Sequence, residues 1–327
     1  MKRYLSSLAL VFIASVAYSQ QLPQYSQYMH NMYVVNPAAA GMNDYLDINL
    51  STRQQWVGID DAPKTYYLSA TGVLGKQDKD TGPSLSIPIS RPDLYAAPAE
   101  TGKRKLKHAL GGIAMVDEYG PFQRTFINLG YALHIPVGKK YNFSLGASLG
   151  WTGMQFDLNR ITLQDANDDT FNRFVGQGEQ ANMFDLNLGA MFYSDRFFIG
   201  YGLYQLMRNQ IAFGGNELSD ARLADHHYVV AGYRLGLGEN FGLTPSTMLR
   251  YQGPAPLSFD VNMRLDYQQK FWLGVGYRHE DAVVAMLGIT IADLVRVGYS
   301  YDYTLSGLNT FSSGSHEIVL GLMLFKN

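Results

Sequence analysis

Arginine and aspartate recur at alternate positions within otherwise apolar stretches of the sequence. From 260 to 266, every second residue is charged or carries an amide. Side chains of a β-strand alternate between two faces, so these groups would share one face. Two interpretations are open: a network of paired charges in a polar interior, or a selectivity lining or ligand site. The ten candidates are Arg53, Arg124, Arg234, Arg250, Arg264, Arg296, Asp185, Asp260, Asp266 and Asp302.

Other residues that could hold a metal or catalyse a reaction do not form a site. His226 and His227 are adjacent and would face opposite sides of a strand. Residues 165–169 have the acidic spacing of a calcium loop, but Thr170 and Gly176 stand where that loop needs glycine and glutamate. G-x-S-x-G elbows and phosphate-binding lysine loops are absent from the sequence. We therefore expect no cofactor, no metal and no enzymatic activity.

The composition limits the class of protein. Charged residues make up 17% of the 327 residues, aromatic residues 13%, and there are 23 Tyr and 33 Gly but no Cys. Beyond the N-terminus, no apolar run approaches the roughly 18 residues of a membrane-spanning helix. The net charge of −2 gives no sign of a nucleic-acid surface. Dispersed apolar residues with many Tyr and Gly favour alternating strands with aromatic girdles.

Repeated alternation predicts an all-β fold. Phe259–Tyr267 has one apolar and one polar face, a pattern that recurs in 141–154 and 295–303. A soluble β-sandwich is the alternative. However, mid-strand Arg and Asp opposite apolar faces that end in Tyr, Phe and Trp favour a transmembrane, antiparallel outer-membrane β-barrel. We predict about fourteen strands, at 46–56, 65–75, 108–118, 122–136, 141–154, 182–194, 196–206, 225–238, 241–252, 258–268, 270–278, 281–292, 294–303 and 315–326.

The connectors orient the predicted barrel. Tight links such as 138–140 and 238–240 alternate along most of the chain with longer ones, mainly 155–181, 207–224 and 304–314. Outer-membrane barrels have short periplasmic turns and longer external loops, so both termini would lie in the periplasm. The link 76–107 is an exception, because it falls on the periplasmic side and has about thirty residues. The facing of 108–118 is unresolved, since its alternation is poor.

The N-terminus divides into two parts. Lys2 and Arg3, an apolar stretch from Leu5 to Ala17 and a small residue at Ser19 predict a cleaved signal peptide over 1–19. Residues 20–45, rich in Tyr and hydrogen-bonding side chains, would be a periplasmic or lumen-packing segment. Residues 46–327 would form the barrel.

A resemblance to a known family begins in this segment. Residues 23–28 read P-Q-Y-S-Q-Y and residues 36–41 read N-P-A-A-A-G; R-Q-Q-W follows at 53–56 and A-P-K-T at 62–65. Together these motifs resemble the PorP/SprF family of type IX secretion membrane proteins of the Bacteroidetes. Met32 departs from a common family proline, 76–107 is longer than usual, and two residues follow the last aromatic residue, Phe325. The motif residues that carry the resemblance best are Asn36, Pro37, Ala38, Gly41 and Trp56.

The resemblance implies a non-enzymatic barrel in the outer membrane. It implies support for secretion or surface attachment of a partner, such as a gliding adhesin, through the cargo's C-terminal domain and other components of the secretion machinery. Outer-membrane lipid would surround the barrel. A passive channel or small-molecule transporter is the alternative. A third possibility is an outer-membrane enzyme with a Ser/His pair on neighbouring strands.

The predicted external loops contain candidate anchors for a partner protein. Binding residues concentrate in loops held by a rigid scaffold, and buried aromatic anchors carry much of an interface's energy. The alternative is that these side chains only pack the loops together over the barrel. The candidates are Phe171, Phe174, Ile211 and Phe213.

Overall fold

The computed structural model describes residues 23–75, 105–160, 180–213, 216–253 and 255–325. Strands and short 3₁₀ turns make up its regular structure. Within the described residues, none of the helices has the length and apolarity to cross a membrane. The strands are β1 (Leu46–Gln54), β2 (Lys64–Val73), β3 (Lys107–Tyr119), β4 (Phe122–Val137), β5 (Tyr141–Phe156), β6 (Gln180–Tyr193), β7 (Phe197–Tyr204), β8 (Gln210–Phe213), β9 (Asn216–Arg222), β10 (His226–Tyr233), β11 (Leu235–Leu237), β12 (Phe241–Gln252), β13 (Ser258–Tyr267), β14 (Phe271–Arg278), β15 (Ala282–Ile291), β16 (Val295–Thr304) and β17 (Ser315–Leu324).

The main sheet closes into an antiparallel barrel, as predicted. Each wall strand pairs with its neighbours in the chain, β1 pairs with β17, and β7 pairs with β10 across the 205–225 connection. β10 and β11 are two parts of one wall strand, interrupted at Arg234, so the described wall has fourteen strands. The predicted strand 225–238 is therefore one strand with a break. The separate hairpin of β8 and β9 was not predicted and lies within the link expected over 207–224.

The wall alternates between an outward apolar face and an inward face. On β13, Val261, Met263 and Leu265 are exposed on the outside, whereas Asp260 and Asn262 are buried inside, which confirms the predicted facing. Leu149 on β5 is 71% exposed on the same outer surface. A closed barrel satisfies its backbone hydrogen bonds between strands, so an apolar outer face suits contact with lipid.

Residues 23–45 lie inside the barrel, and we call them the lumenal segment. Their backbone forms three 3₁₀ turns, at Tyr28–His30, Met32–Val34 and Pro37–Ala39. Tyr28, Asn36 and Ala38 are almost completely buried. The sequence did not decide between a periplasmic and a lumenal position for this part of the chain. In the structure, residues 23–45 lie in the lumen.

The inner wall is polar on one side and apolar on the other. Ile113 and Met115 on β3 face inward and pack in a cluster with Tyr25, Tyr33 and side chains of β4, β6, β7, β10 and β12. This packing explains the poor alternation of 108–118. Both faces of β3 carry apolar residues, because its inner face contacts the lumenal segment instead of water. The sequence predicted a polar interior, and the structure has one on part of the inner wall only.

Candidate functional site

We call the end with the tight turns the periplasmic end and the opposite end the outer end. Near the outer end, the lumenal segment is tied to the wall by a buried ion network. The Ser26 hydroxyl donates to Asp302 Oδ2 at 2.7 Å, and the backbone N–H groups of Ser26 and Gln27 donate to Glu317 at 2.9 and 3.2 Å. Arg53 bridges the two carboxylates, at 2.8 Å from Asp302 and 3.3 Å from Glu317. These hydrogen bonds fix the start of the segment against β1, β16 and β17.

The network continues along the wall through Arg278. Its guanidinium lies 3.1 Å from Asp302 and 3.5 Å from Asp260, and Asp260 lies 2.9 Å from Arg250. Arg278 and Glu317 were absent from the predicted set. The alternation of side chains along β14 would have identified Arg278 as an inward residue, because it shares a face with Trp272, Gly274 and Gly276, all of which face inward.

Asn36 and Pro37 lie against a glycine-lined groove of the wall. Asn36 Nδ2 donates to the carbonyls of Ala190 and Tyr201 at 3.1 and 3.2 Å, and its Oδ1 accepts from the N–H of Ala38 at 2.9 Å. A Cβ at Gly146 or Gly189 would overlap this turn. Glycine is therefore required for the close approach of the two backbones, and Asn36 caps the turn of the N-P-A motif.

The end of the N-P-A-A-A-G motif lies nearer the periplasmic end. His134 Nε2 is 2.7 Å from the Ala40 carbonyl, and the Tyr193 hydroxyl is 2.8 Å from Nδ1 of the same ring. The carbonyl can only accept, so Nε2 carries the proton and Tyr193 donates to Nδ1. Gly41 has φ +70°, and a Cβ there would overlap Ala109. The motif thus joins the segment to β3, β4 and β6.

The remaining predicted lumen charges fall into two groups. Three arginines, Arg234, Arg264 and Arg296, line a cavity at the periplasmic end. Two of them form ion pairs, Arg264 with Asp266 at 3.1 Å and Arg296 with Asp47 at 3.2 Å. In the second group, Arg124 is buried beside β3, where its cross-strand neighbour is Asp117. Asp185 accepts from the backbone N–H groups of Leu186 and Met207 and so fixes the start of the 205–225 connection.

The predicted loop anchors do not form one surface. Ile211 is 4% exposed and packs with Met154, Met183 and Leu223, so its burial removes it from the set of partner-binding anchors. Phe171 and Phe174 lie outside the described residues. Phe213 ends β8, and its side chain is not described.

Other apolar side chains are exposed on the outer loops. Phe311 is 72% exposed, Met207 60% and Leu257 54%. Phe311 belongs to the 305–314 loop, which bonds to the 55–63 loop through Val57 and Gly314. The N–H of Trp56 donates to Ser315 Oγ at 3.1 Å, so this motif residue lies where the two loops meet. Sequence reasoning missed Phe311 because the candidate anchors were chosen from 155–181 and 207–224 alone, although 304–314 was also predicted to be external.

A carboxylate, an imidazole and a phenol are in line at the outer rim. His227 Nε2 is 3.1 Å from Asp225, and Tyr201 Oη is 2.6 Å from His227 Nδ1. Arg208, 2.6 Å from Asp225, holds the pKa of that carboxyl below its usual range. Two further outward Tyr–His pairs, Tyr131–His108 and Tyr299–His316, lack a carboxylate in their hydrogen bonds. This recurrence indicates an interfacial girdle.

One family model covers nearly the whole chain. The model described as type IX secretion system membrane protein PorP/SprF matches residues 17–322. No curated protein matches the chain at a significant level.

The chain is similar to several solved barrel structures at low identity. The CymD monoaromatic hydrocarbon channel is 11% identical, with a TM-score of 0.47 over 90% of this chain and 97% of that chain. The Ralstonia pickettii toluene transporter TbuX is 10% identical, with a TM-score of 0.48 over 88% and 92%. The translocator domain of autotransporter NalP from Neisseria meningitidis is 11% identical, with a TM-score of 0.39 over 87% and 89%. Likeness at this level carries no argument about what this chain binds or transports.

Proposed function

The chain belongs to the PorP/SprF family of type IX secretion system membrane proteins, and from this premise we propose that it supports secretion or cell-surface attachment of a type IX cargo protein. It is an outer-membrane β-barrel. In the proposal, the barrel is a rigid, internally filled anchor whose external loops contact the cargo's C-terminal domain, while other components of the machinery contact its exposed ends.

The occupied lumen is the observation that carries the proposal. The lumenal segment is bonded near one end through Ser26, in the middle through Asn36 and near the other end through Ala40. Asn31 adds a hydrogen bond of 2.8 Å to Ser69 on β2. A segment fixed along its length obstructs passage, which favours an anchoring function over the alternative of a passive channel or small-molecule transporter.

The outer loops supply the proposed contact surface. Exposed apolar side chains in loops that the wall holds in place are suitable interface anchors. Phe311, Leu305 and Leu308 are 72%, 47% and 37% exposed on a loop that is fixed to its neighbour by backbone hydrogen bonds. The proposal includes no catalytic activity.

The test is deletion of the gene followed by complementation. Cells without the protein should release the cargo into the medium or retain it inside, and the wild-type gene should restore attachment. A variant with Phe311→Ser and Leu308→Ser should assemble but fail to restore attachment; Leu149→Ser, on the lipid-facing wall, is the control for loss of an apolar side chain. Full attachment with the loop variant would refute the external-loop proposal.

A further inference from the structure

The periplasmic end of the lumen contains a polar cavity that the proposed function does not use. Its volume is about 130 Å³, and it lies among the tight turns, with Asn240, Gln269 and Asp293 in its lining. We call this cavity the periplasmic cup. Its other chemically important lining residues are His30, Arg234, Arg264, Asp266, Trp272 and Arg296.

The lining of the cup has more positive than negative groups. Arg234, Arg264 and Arg296 supply three guanidinium groups, against the carboxylates of Asp266 and Asp293. Asp47 also bonds Arg296, from beside the cup. The three guanidinium groups of the lining therefore favour an anion over a further cation.

Three buried nitrogens of the lining lack a hydrogen-bond partner among the described residues. They are Nε2 of His30, Nε of Arg296 and Nε1 of Trp272. The arginine and tryptophan nitrogens can only donate. Buried donors in folded proteins are normally bonded, so those without a partner indicate a missing acceptor. Water or a bound anion would supply that acceptor.

We propose that the periplasmic cup binds a small oxyanion, a carboxylate or a phosphate group that enters from the periplasm. Arginine forks match both groups, because two parallel N–H donors fit two oxygens. A cavity of about 130 Å³ admits such a group with a few waters, but not a folded chain.

The test uses the purified full-length barrel in detergent, with sodium succinate and sodium pyrophosphate as probes in calorimetric titrations. At least one probe should bind saturably. Arg234→Gln and Arg264→Gln should each weaken binding about tenfold or more, because a hydrogen bond to a charged group contributes that factor. Arg234→Lys should retain part of the affinity. Arg208→Gln, at the exposed outer rim, is the matched control and should bind as the wild type does.

The two probes distinguish the sources of the anion. Binding of succinate alone assigns the cup to carboxylates, binding of pyrophosphate alone assigns it to phosphates, and binding of both supports the shared chemistry. A heat-modifiable shift in electrophoretic mobility verifies that each variant is folded. Failure of the folded wild type to bind either probe at millimolar concentration would overturn the proposal. Binding that neither glutamine variant weakens would overturn it equally.

Discussion

Ser26 and Asp302 are 276 positions apart in the chain, yet the Ser26 hydroxyl lies 2.7 Å from the Asp302 carboxylate inside the barrel. This hydrogen bond joins the lumenal segment to β16. β16 pairs with β17, and β17 closes the barrel by pairing with β1. The segment therefore belongs to the same folded unit as the wall.

Loss of the Asp302 carboxylate should destabilise the protein much more than loss of the Ser26 hydroxyl. Asp302→Ala removes the buried carboxylate that Arg53 and Arg278 share and leaves each with a longer contact, to Glu317 and Asp260 respectively. This loss should lower the free energy of unfolding by about 3 kcal/mol. Ser26→Ala should cost about 1 kcal/mol. Urea unfolding in lipid vesicles, followed by tryptophan fluorescence, measures both. Asp225→Ala, at the surface, is the control and should cost less than about 1 kcal/mol; equal losses for Asp302→Ala and Asp225→Ala would contradict the buried network.

A side chain in the glycine groove should displace the lumenal segment. Gly146→Val introduces carbon atoms where the Pro37–Ala38 backbone lies, so the segment should become sensitive to protease and the barrel should conduct ions in planar bilayers. Ala147→Val, one residue away on the exposed outer face, is the matched control and should change neither property. Closed, protease-resistant Gly146→Val barrels would show that the groove does not need glycine.

The lumenal segment should be accessible from opposite sides of the membrane at its two ends. Gln24 lines a cavity with Tyr251 and Pro256 near the outer end, whereas Asn43 lines the periplasmic cup. Of the periplasmic and lumen-packing positions that the sequence left open for residues 20–45, this run is the lumen-packing one. The protein has no cysteine, so Gln24→Cys and Asn43→Cys each introduce a single thiol. An impermeant maleimide should label Gln24→Cys on intact cells and Asn43→Cys only after the outer membrane is opened. The reverse pattern would show that the lumenal segment or the whole barrel has the opposite orientation in the membrane.

A charge on the outer face should impair assembly. Met263 is 48% exposed in the middle of β13, and an arginine at the bilayer midplane costs ~2–4 kcal/mol. Met263→Arg should therefore reduce the folded fraction in outer-membrane preparations, measured by heat-modifiable mobility, while Met263→Leu should behave as the wild type. Normal assembly of the arginine variant would place Met263 away from lipid. Asn262→Arg is not a suitable control on the inner face, since Asn262 donates to the Tyr28 hydroxyl and packs against Gly276.

The sequence predicted the wall better than its contents. Alternation and tight turns are local signals, so the fourteen wall strands and the outward face of β13 follow from residues near one another in the chain. The contacts of Asn36 with Ala190 and Tyr201 join residues more than 150 positions apart, and no local pattern encodes them. The hairpin of β8 and β9 had a signal, because Gly-Gly at 214–215 between two short runs is typical of a tight turn. Ile211 shows the opposite difficulty, since an apolar loop residue has the same sequence signal whether it binds a partner or packs on the wall.

The most direct test of the proposed function is a photo-crosslinker placed at Phe311 in cells that export their native type IX cargo. Position 149, which faces lipid, and position 293, in a periplasmic turn, are the controls. After irradiation and purification, mass spectrometry identifies the protein joined to each position. The proposed function predicts an adduct at position 311 with a secreted protein that carries a type IX C-terminal domain, and no such adduct at 149 or 293. An adduct with that protein at 293 and none at 311 would contradict cargo binding through the outer loops.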